Sequence, residues 1–205
     1  MVSSVCHIVG AGELFGNIEP KRGDIVIAAD GGYDHLKAIG ITPDIVIGDM
    51  DSVKEIPEGV KRIVFPTRKD ETDTYLAYLK GVELGYKKFI IYGGTGGRED
   101  HTFANYCLLI SAKKAGNEII LISSERKIYA LVNEEKEIRG RCGAVVSVFA
   151  FGKDAEGVSI KDLSYEADNI TLAADNPIGV SNEYSASERG VISVKSGALL
   201  VMEQI

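Results

Sequence analysis

The sequence predicts an α/β amino-terminal domain with a mostly parallel sheet, followed by an all-β sandwich domain. Three observations carry this. Short apolar runs alternate with helical patterns over residues 1–125, the helical patterns stop near residue 126, and the remainder is β-branched segments separated by Gly, Asn or charged turns.

In the first half the candidate strands are VCHIV (5–9), IVIAA (25–29), IVI (45–47), RIVF (62–65), FIIY (89–92) and IILI (119–122). Between them, YDHLKAIG has Gly40 as its expected C-cap, and in TDTYLAYLKGVELG Leu76, Leu79 and Val82 recur at threefold spacing. HTFANYCLLISAKKAG predicts a third helix, starting near His101 and ending near Gly116. Strands that alternate with helices pair in parallel, because each crossover helix must cover a face of the sheet.

The second half reads KIYALV, KEIR, AVVSVFAF, GVSI, NITLA, GVSNEYSA, VISV and ALLVME, all expected as short strands. The boundary falls within 123–135, giving domains of 1–125 and 126–205. The 205 residues, 45% hydrophobic and 26% charged, suffice for two small domains with real cores.

The net charge of -7 is spread over both halves with no basic stripe, so no nucleic-acid partner is expected. No apolar run is long enough to span a bilayer, so no membrane partner is expected. The start, MVSSVCHIVGAG, lacks a basic stretch before a long apolar core, which predicts a cytoplasmic protein. Cys6, Cys107 and Cys142 form no CxxC pair and read as small buried hydrophobes in a reducing compartment. The three histidines are scattered, against a zinc site.

Open parallel sheets bind ligands at the carboxyl ends of their strands. Following the candidate strands there are Asp30-Gly31-Gly32, Gly48-Asp49-Met50-Asp51-Ser52, Asp70 with Asp73, and GGTGGRED at 93–100. In extended backbone Asp49 and Asp51 share a face. Two carboxylates about 4 Å apart repel by roughly 4 kcal/mol at an effective dielectric near 20, so such a cluster calls for a cation. Oxygen ligands without nearby His or Cys favour Mg²⁺, which bridges carboxylates to phosphates. Each piece also has a structural reading: a solvated turn for the DxD pair, a helix cap for Asp70 with Asp73, and a glycine-requiring loop at 93–97.

Sharper alternatives are testable by letter. Counting from Asp49, an EF-hand would need Gly and Glu where Lys54 and Val60 stand, and no GxxxxGK[ST] occurs. The loop at 93–97 still offers unhindered N–H groups, the following helix aims its positive end the same way, and Arg98 adds a planar donor for phosphate. GAG at 10–12 is a weak nucleotide signal without GxGxxG spacing.

ADGGYDHL (29–36), ITPDIVIGDMDS (41–52), KDETD (69–73), GGTGGREDHTFAN (93–105) and GVSNEYSA (179–186) with its trailing VISVKSGALLVM together resemble the thiamine pyrophosphokinase family. The resemblance implies transfer of a diphosphate group from ATP to thiamine with release of AMP, a Mg²⁺ requirement, and a homodimer. It implies that Asp49, Asp51 and Asp73 hold magnesium, and that Asp30, Asp70, Thr72, Arg98 and Asp100 line the same cleft with the glycines Gly31, Gly32, Gly96 and Gly97. Ser181 and Asn182 would contact thiamine. Met50 stands where the family often has an aromatic residue.

Two rivals remain at this level. IVIGDMDSV superficially matches the aspartyl-phosphate motif of haloacid-dehalogenase-type phosphatases, although it follows the third candidate strand instead of the first. A non-catalytic thiamine or nucleotide sensor on the same fold is the other.

Overall fold

A computed structural model describes residues 4–48, 57–64 and 71–205. The chain divides into two compact units, one of residues 1–108 with 116–124, the other of residues 109–115 with 125–205.

The first unit contains β1 (Val5–Val9), β2 (Ile25–Ala29), α1 (Gly32–Ala38), β3 (Ile45–Gly48), β4 (Lys61–Val64), α2 (Asp73–Glu83), β5 (Lys88–Tyr92) and β6 (Glu118–Ile122). A third helix, α3 (Glu99–Lys114), begins in it. The strands lie in the order β6-β5-β1-β2-β3-β4, every pairing parallel. Branched residues at consecutive positions suit strands covered on both faces. Val9, Val26, Ala28 and Val46 pack with Tyr33 and Leu36 of α1. On α2, Gly81 allows close approach to Cys6 and Phe89, since a Cβ there would lie 2.9 Å from the Cys6 sulfur and 2.6 Å from the Phe89 ring.

Helix ends follow capping chemistry. Thr72 is the N-cap of α2, its hydroxyl accepting from the Tyr75 N–H at 3.2 Å. The helix stops before Gly85, at φ +90°. α3 starts two residues earlier than its letters suggested, with Glu99 and Asp100 in the first turn, where carboxylates favour the positive helix end.

The second unit contains β7 (Arg126–Val132), β8 (Glu135–Arg139), β9 (Val145–Ala150), β10 (Ala155–Lys161), β11 (Ala167–Leu172), β12 (Asn182–Glu183), β13 (Arg189–Ser193) and β14 (Ala198–Gln204). Two antiparallel layers, β12-β9-β14-β7 and β11-β10-β13-β8, share a core that includes Leu131, Val146, Val158, Ile192 and Leu199. Within it Glu203 is 1% exposed, yet its carboxylate is satisfied: it accepts from the Tyr129 hydroxyl at 2.6 Å and from the Tyr184 hydroxyl, and Lys127 Nζ lies 3.1 Å away.

Two further sequence expectations differ from the structure. GVSNEYSA supplies only the two-residue β12, because Ser181 adopts φ +59° and the chain turns there. Of the cysteines only Cys6 is buried. Cys107 on α3 and Cys142 before β9 are exposed and free. No helix among the described residues is long and apolar enough to cross a membrane.

Candidate active site

Beyond their strand ends, the segments after β1 and β5 stay side by side. The N–H groups of Gly10, Gly12 and Glu13 donate to the carbonyls of Tyr92, Gly93 and Thr95, each at 2.8 Å. The approach excludes side chains. A Cβ on Gly12 would sit 2.4 Å from the Thr95 oxygen, and one on Gly93 2.4 Å from the Gly10 oxygen. The GAG letters at 10–12 therefore have a packing reason that needs no nucleotide motif. On the same ribbon the Gly12 carbonyl accepts from His35 Nε2 at 2.7 Å, which places a proton on that nitrogen, since a carbonyl only accepts.

The Gly94 carbonyl accepts from the Asn105 side-chain amide at 2.7 Å. Three consecutive carbonyls, those of Gly93, Gly94 and Thr95, are thus engaged by protein donors. The N–H groups of Thr95, Gly96 and Gly97 have no acceptor among the described residues. Acceptors occupied and donors open is the polarity that suits an anion.

Gly93, Gly94, Gly96 and Gly97 border a cleft of about 320 Å³ that also includes Asp30, Thr74, Arg98 and His101, while Thr95 between them is buried. Asp30 leaves β2 at φ +48°, its N–H donating to the Ile47 carbonyl at 2.7 Å. A Cβ on Gly48 would stand 3.2 Å from the Asp30 Cα, so β3 ends close beside it. Gly31 caps α1, and Gly32 is obligatory because a Cβ would fall 1.9 Å from the Val9 carbonyl oxygen. Arg98 holds Asp100 through two bonds, Nε to Oδ1 at 3.1 Å and a second nitrogen to Oδ2 at 2.6 Å. That bidentate pair raises the Arg98 pKa and lowers that of Asp100, whose Oδ1 also accepts from the His101 N–H. On β1, burial pushes the Cys6 thiol up to about 12.

Of the residues expected from sequence, Asp30, Gly96, Gly97 and Arg98 border this one cleft. Gly31 and Gly32 start α1, Thr72 caps α2, Asp73 lies in its first turn, and Asp100 is bound to Arg98. Asp49, Asp51 and Asp70 lie outside the described residues. Among the described residues no group of three or more His, Cys, Asp or Glu could hold a metal ion. Ser181 and Asn182 belong to the second unit. There the Ser181 N–H donates to the Ser147 hydroxyl, while the Asn182 side chain accepts from the N–H groups of Tyr165 and Glu183 and donates to the Tyr165 carbonyl. Thr74, His101 and Asn105 were missed. The spacing of His101 and Asn105, four apart on α3, places both on one helical face and was legible, with Arg98 just before the helix.

Two family models match the chain: "Thiamin pyrophosphokinase, catalytic domain" over residues 20–121 and "Thiamin pyrophosphokinase, vitamin B1 binding domain" over residues 131–199. Thiamine pyrophosphokinase of Bacillus subtilis is 29% identical over 183 residues, covering 86% of this chain and 85% of the relative. Thiamin pyrophosphokinase 1 of Caenorhabditis elegans is 26% identical over 193 residues, covering 85% and 76%. The crystal structure of thiamine pyrophosphokinase from Bacillus subtilis superposes with a TM-score of 0.89 at 26% identity, covering 98% of each chain. Both domains of one family thus follow each other in a single chain whose fold agrees along its length, and the protein belongs to the thiamine pyrophosphokinase family.

Proposed function

We propose that the protein transfers a diphosphate group from ATP to the hydroxyethyl oxygen of thiamine, giving thiamine diphosphate and AMP. The observation that carries this reading is the ribbon at the ends of β1 and β5, where the carbonyls of residues 93–95 are engaged and the N–H groups of Gly96 and Gly97 stay open beside Arg98. In the reaction the thiamine oxygen bonds to the β-phosphorus as the bond from that phosphorus to the AMP oxygen breaks. The protein has little covalent work to do, so positioning and charge neutralisation dominate. The open N–H groups and Arg98 receive phosphate oxygens, with Gly31, Gly32 and Thr72 alongside. Asp100, kept ionised by Arg98, is a weak base, so its role is to orient the thiamine hydroxyl, whose proton passes to solvent.

Asp49, Asp51 and Asp73 would hold Mg²⁺, with Asp30 and Asp70 beside them. The donor set fits: all are hard oxygen ligands, and β3 ends next to Asp30, one residue before Asp49. Bound there, magnesium neutralises the polyphosphate charge. Residues 1–125 form the ATP and Mg²⁺ domain in this reading, and residues 126–205 the thiamine-binding and dimerisation domain, with Ser181 and Asn182 contacting thiamine in a cytoplasmic homodimer. The thiazolium cation suits a protein of net charge -7.

The test mixes protein, thiamine, ATP and Mg²⁺ and quantifies AMP, ADP and thiamine diphosphate over time. AMP and thiamine diphosphate should rise in equal amounts and only with Mg²⁺. ADP with thiamine monophosphate would refute diphosphate transfer. Unchanged turnover in Asp49→Asn or Asp51→Asn at saturating Mg²⁺ would remove those residues from the metal site.

A further inference from the structure

We infer that Asn105 is a positioning residue for the polyphosphate, acting by fixing the peptide group after Gly94. The inference rests on the ATP reading above. Glycine leaves a peptide plane weakly determined, and residues 93–97 contain four glycines, three of them at positive φ. If the peptide after Gly94 turned over, the loop that presents the Gly96 and Gly97 N–H groups to the cleft would shift, weakening their hold on an anion. Something must hold each plane.

For Gly93 and Thr95 the holding donors are the backbone N–H groups of Gly12 and Glu13. For Gly94 the donor is a side chain, Asn105 Nδ2 at 2.7 Å. Gly94 cannot be stiffened by a side chain of its own, because a Cβ would lie 2.5 Å from Leu121 Cδ1 and 2.9 Å from Ile91 Cγ2. Asn105 is well placed to act: it is 4% exposed, borders the cleft, and stands on α3 seven residues beyond Arg98. The guanidinium just before α3 and the group on α3 that sets the loop therefore border the same cleft.

The test measures MgATP binding by calorimetry without thiamine, and the KM of each substrate, for Asn105→Asp and Asn105→Ala. The aspartate variant keeps the shape but cannot donate when ionised, whereas the alanine variant removes the donor without adding charge. Both should weaken MgATP binding about tenfold or more, the scale of one lost buried hydrogen bond, with the thiamine KM changed less than about twofold. The deficit of Asn105→Asp relative to wild type should shrink on acidification, because a protonated carboxyl can donate to Gly94 again. A merely structural role would move both KM values together.

Unchanged MgATP binding in both variants overturns the inference. So does weakening in Asn105→Asp alone, which would mean charge repulsion. If the variants do not fold, amide exchange in the wild type decides: the Asn105 side-chain proton should stay protected with and without MgATP, and rapid exchange in both overturns it. Wild-type protein that neither binds MgATP nor forms thiamine diphosphate would instead sink the function itself, and this inference with it.

Discussion

Replacing Gly12 with alanine separates the ribbon and leaves every charged group in place. The new Cβ would stand 2.4 Å from the Thr95 carbonyl oxygen and 2.7 Å from that of Gly93, where ordinary contact begins at 3.4 Å. The two segments must part by about 1 Å, a displacement that can lower turnover roughly 10²-fold when it falls in a positioning element. The parting breaks or stretches the Gly12 to Gly93 and Glu13 to Thr95 bonds, both 2.8 Å. At about 0.5–1.5 kcal/mol net each, their loss costs roughly 1–3 kcal/mol. Urea denaturation reads the stability change and steady-state kinetics the loss in kcat/KM for ATP. Gly85→Ala is the control: it has φ +90°, nothing lies within 4 Å of its Cβ, and it is not among the residues bordering the cleft. It should cost about 1 kcal/mol through backbone strain, with kinetics unchanged. Wild-type kinetics in Gly12→Ala, or an equal loss in Gly85→Ala, would refute the idea that close backbone approach builds the site.

Three further outcomes follow from the same geometry. Glu203→Gln replaces an acceptor of two phenols with a group that accepts at one end only. It should destabilise the protein by about 1.5–3 kcal/mol in urea titration, and an unchanged midpoint would contradict the role given to the buried carboxylate. The Tyr129 and Tyr184 phenols are held above their ordinary value by burial and by Glu203. A folded pKa raised above the unfolded value of about 10 gives stability that is full below that pH and lost as pH rises beyond it, so the urea midpoint should begin to fall as pH passes about 10 and go on falling above it. Arg98→Lys keeps the charge but loses the planar fork, and turnover should drop about 10²–10³-fold with thermal stability unchanged, because the Arg98–Asp100 pair is exposed.

Much of the fold was legible because burial on both faces of a parallel sheet demands uninterrupted branched residues, and IVIAA and IVI have no other use for them. The second half yielded its strands for a related reason, turns being written in Gly, Asn and charge. GVSNEYSA misled because Val, Ser and Tyr suit strands, whereas the left-handed Ser181 is imposed by tertiary contacts. One is its N–H bond to Ser147. Another is the approach of Gly179, where a Cβ would lie 1.9 Å from the Val148 carbonyl oxygen. The cysteines misled in the opposite direction. A small residue tolerates either environment, and only the helical register of Cys107 and the turn position of Cys142 decide exposure.

The acids at the strand ends are named one by one from their letters, and of them Asp30 borders the cleft while Asp49, Asp51 and Asp70 lie outside the described residues. The ribbon could not be read from its letters, since its function depends on partners eighty residues apart in sequence: Gly12 meets Gly93 only once β1 and β5 have paired in register. In such a site glycine has two opposed effects. Its missing side chain lets two backbones touch and leaves N–H groups open to an anion, but it also removes the steric preference that would orient each peptide. The sequence must supply that orientation from elsewhere, through the pairing of β1 with β5 at Gly93 and Thr95, and through a single amide on α3 at Gly94. On the proposed reading Asn105, the last letter of GGTGGREDHTFAN, carries more consequence than its place on a helix suggests, and substitutions at Gly12 and Asn105 should fail in the same way, through ATP before thiamine.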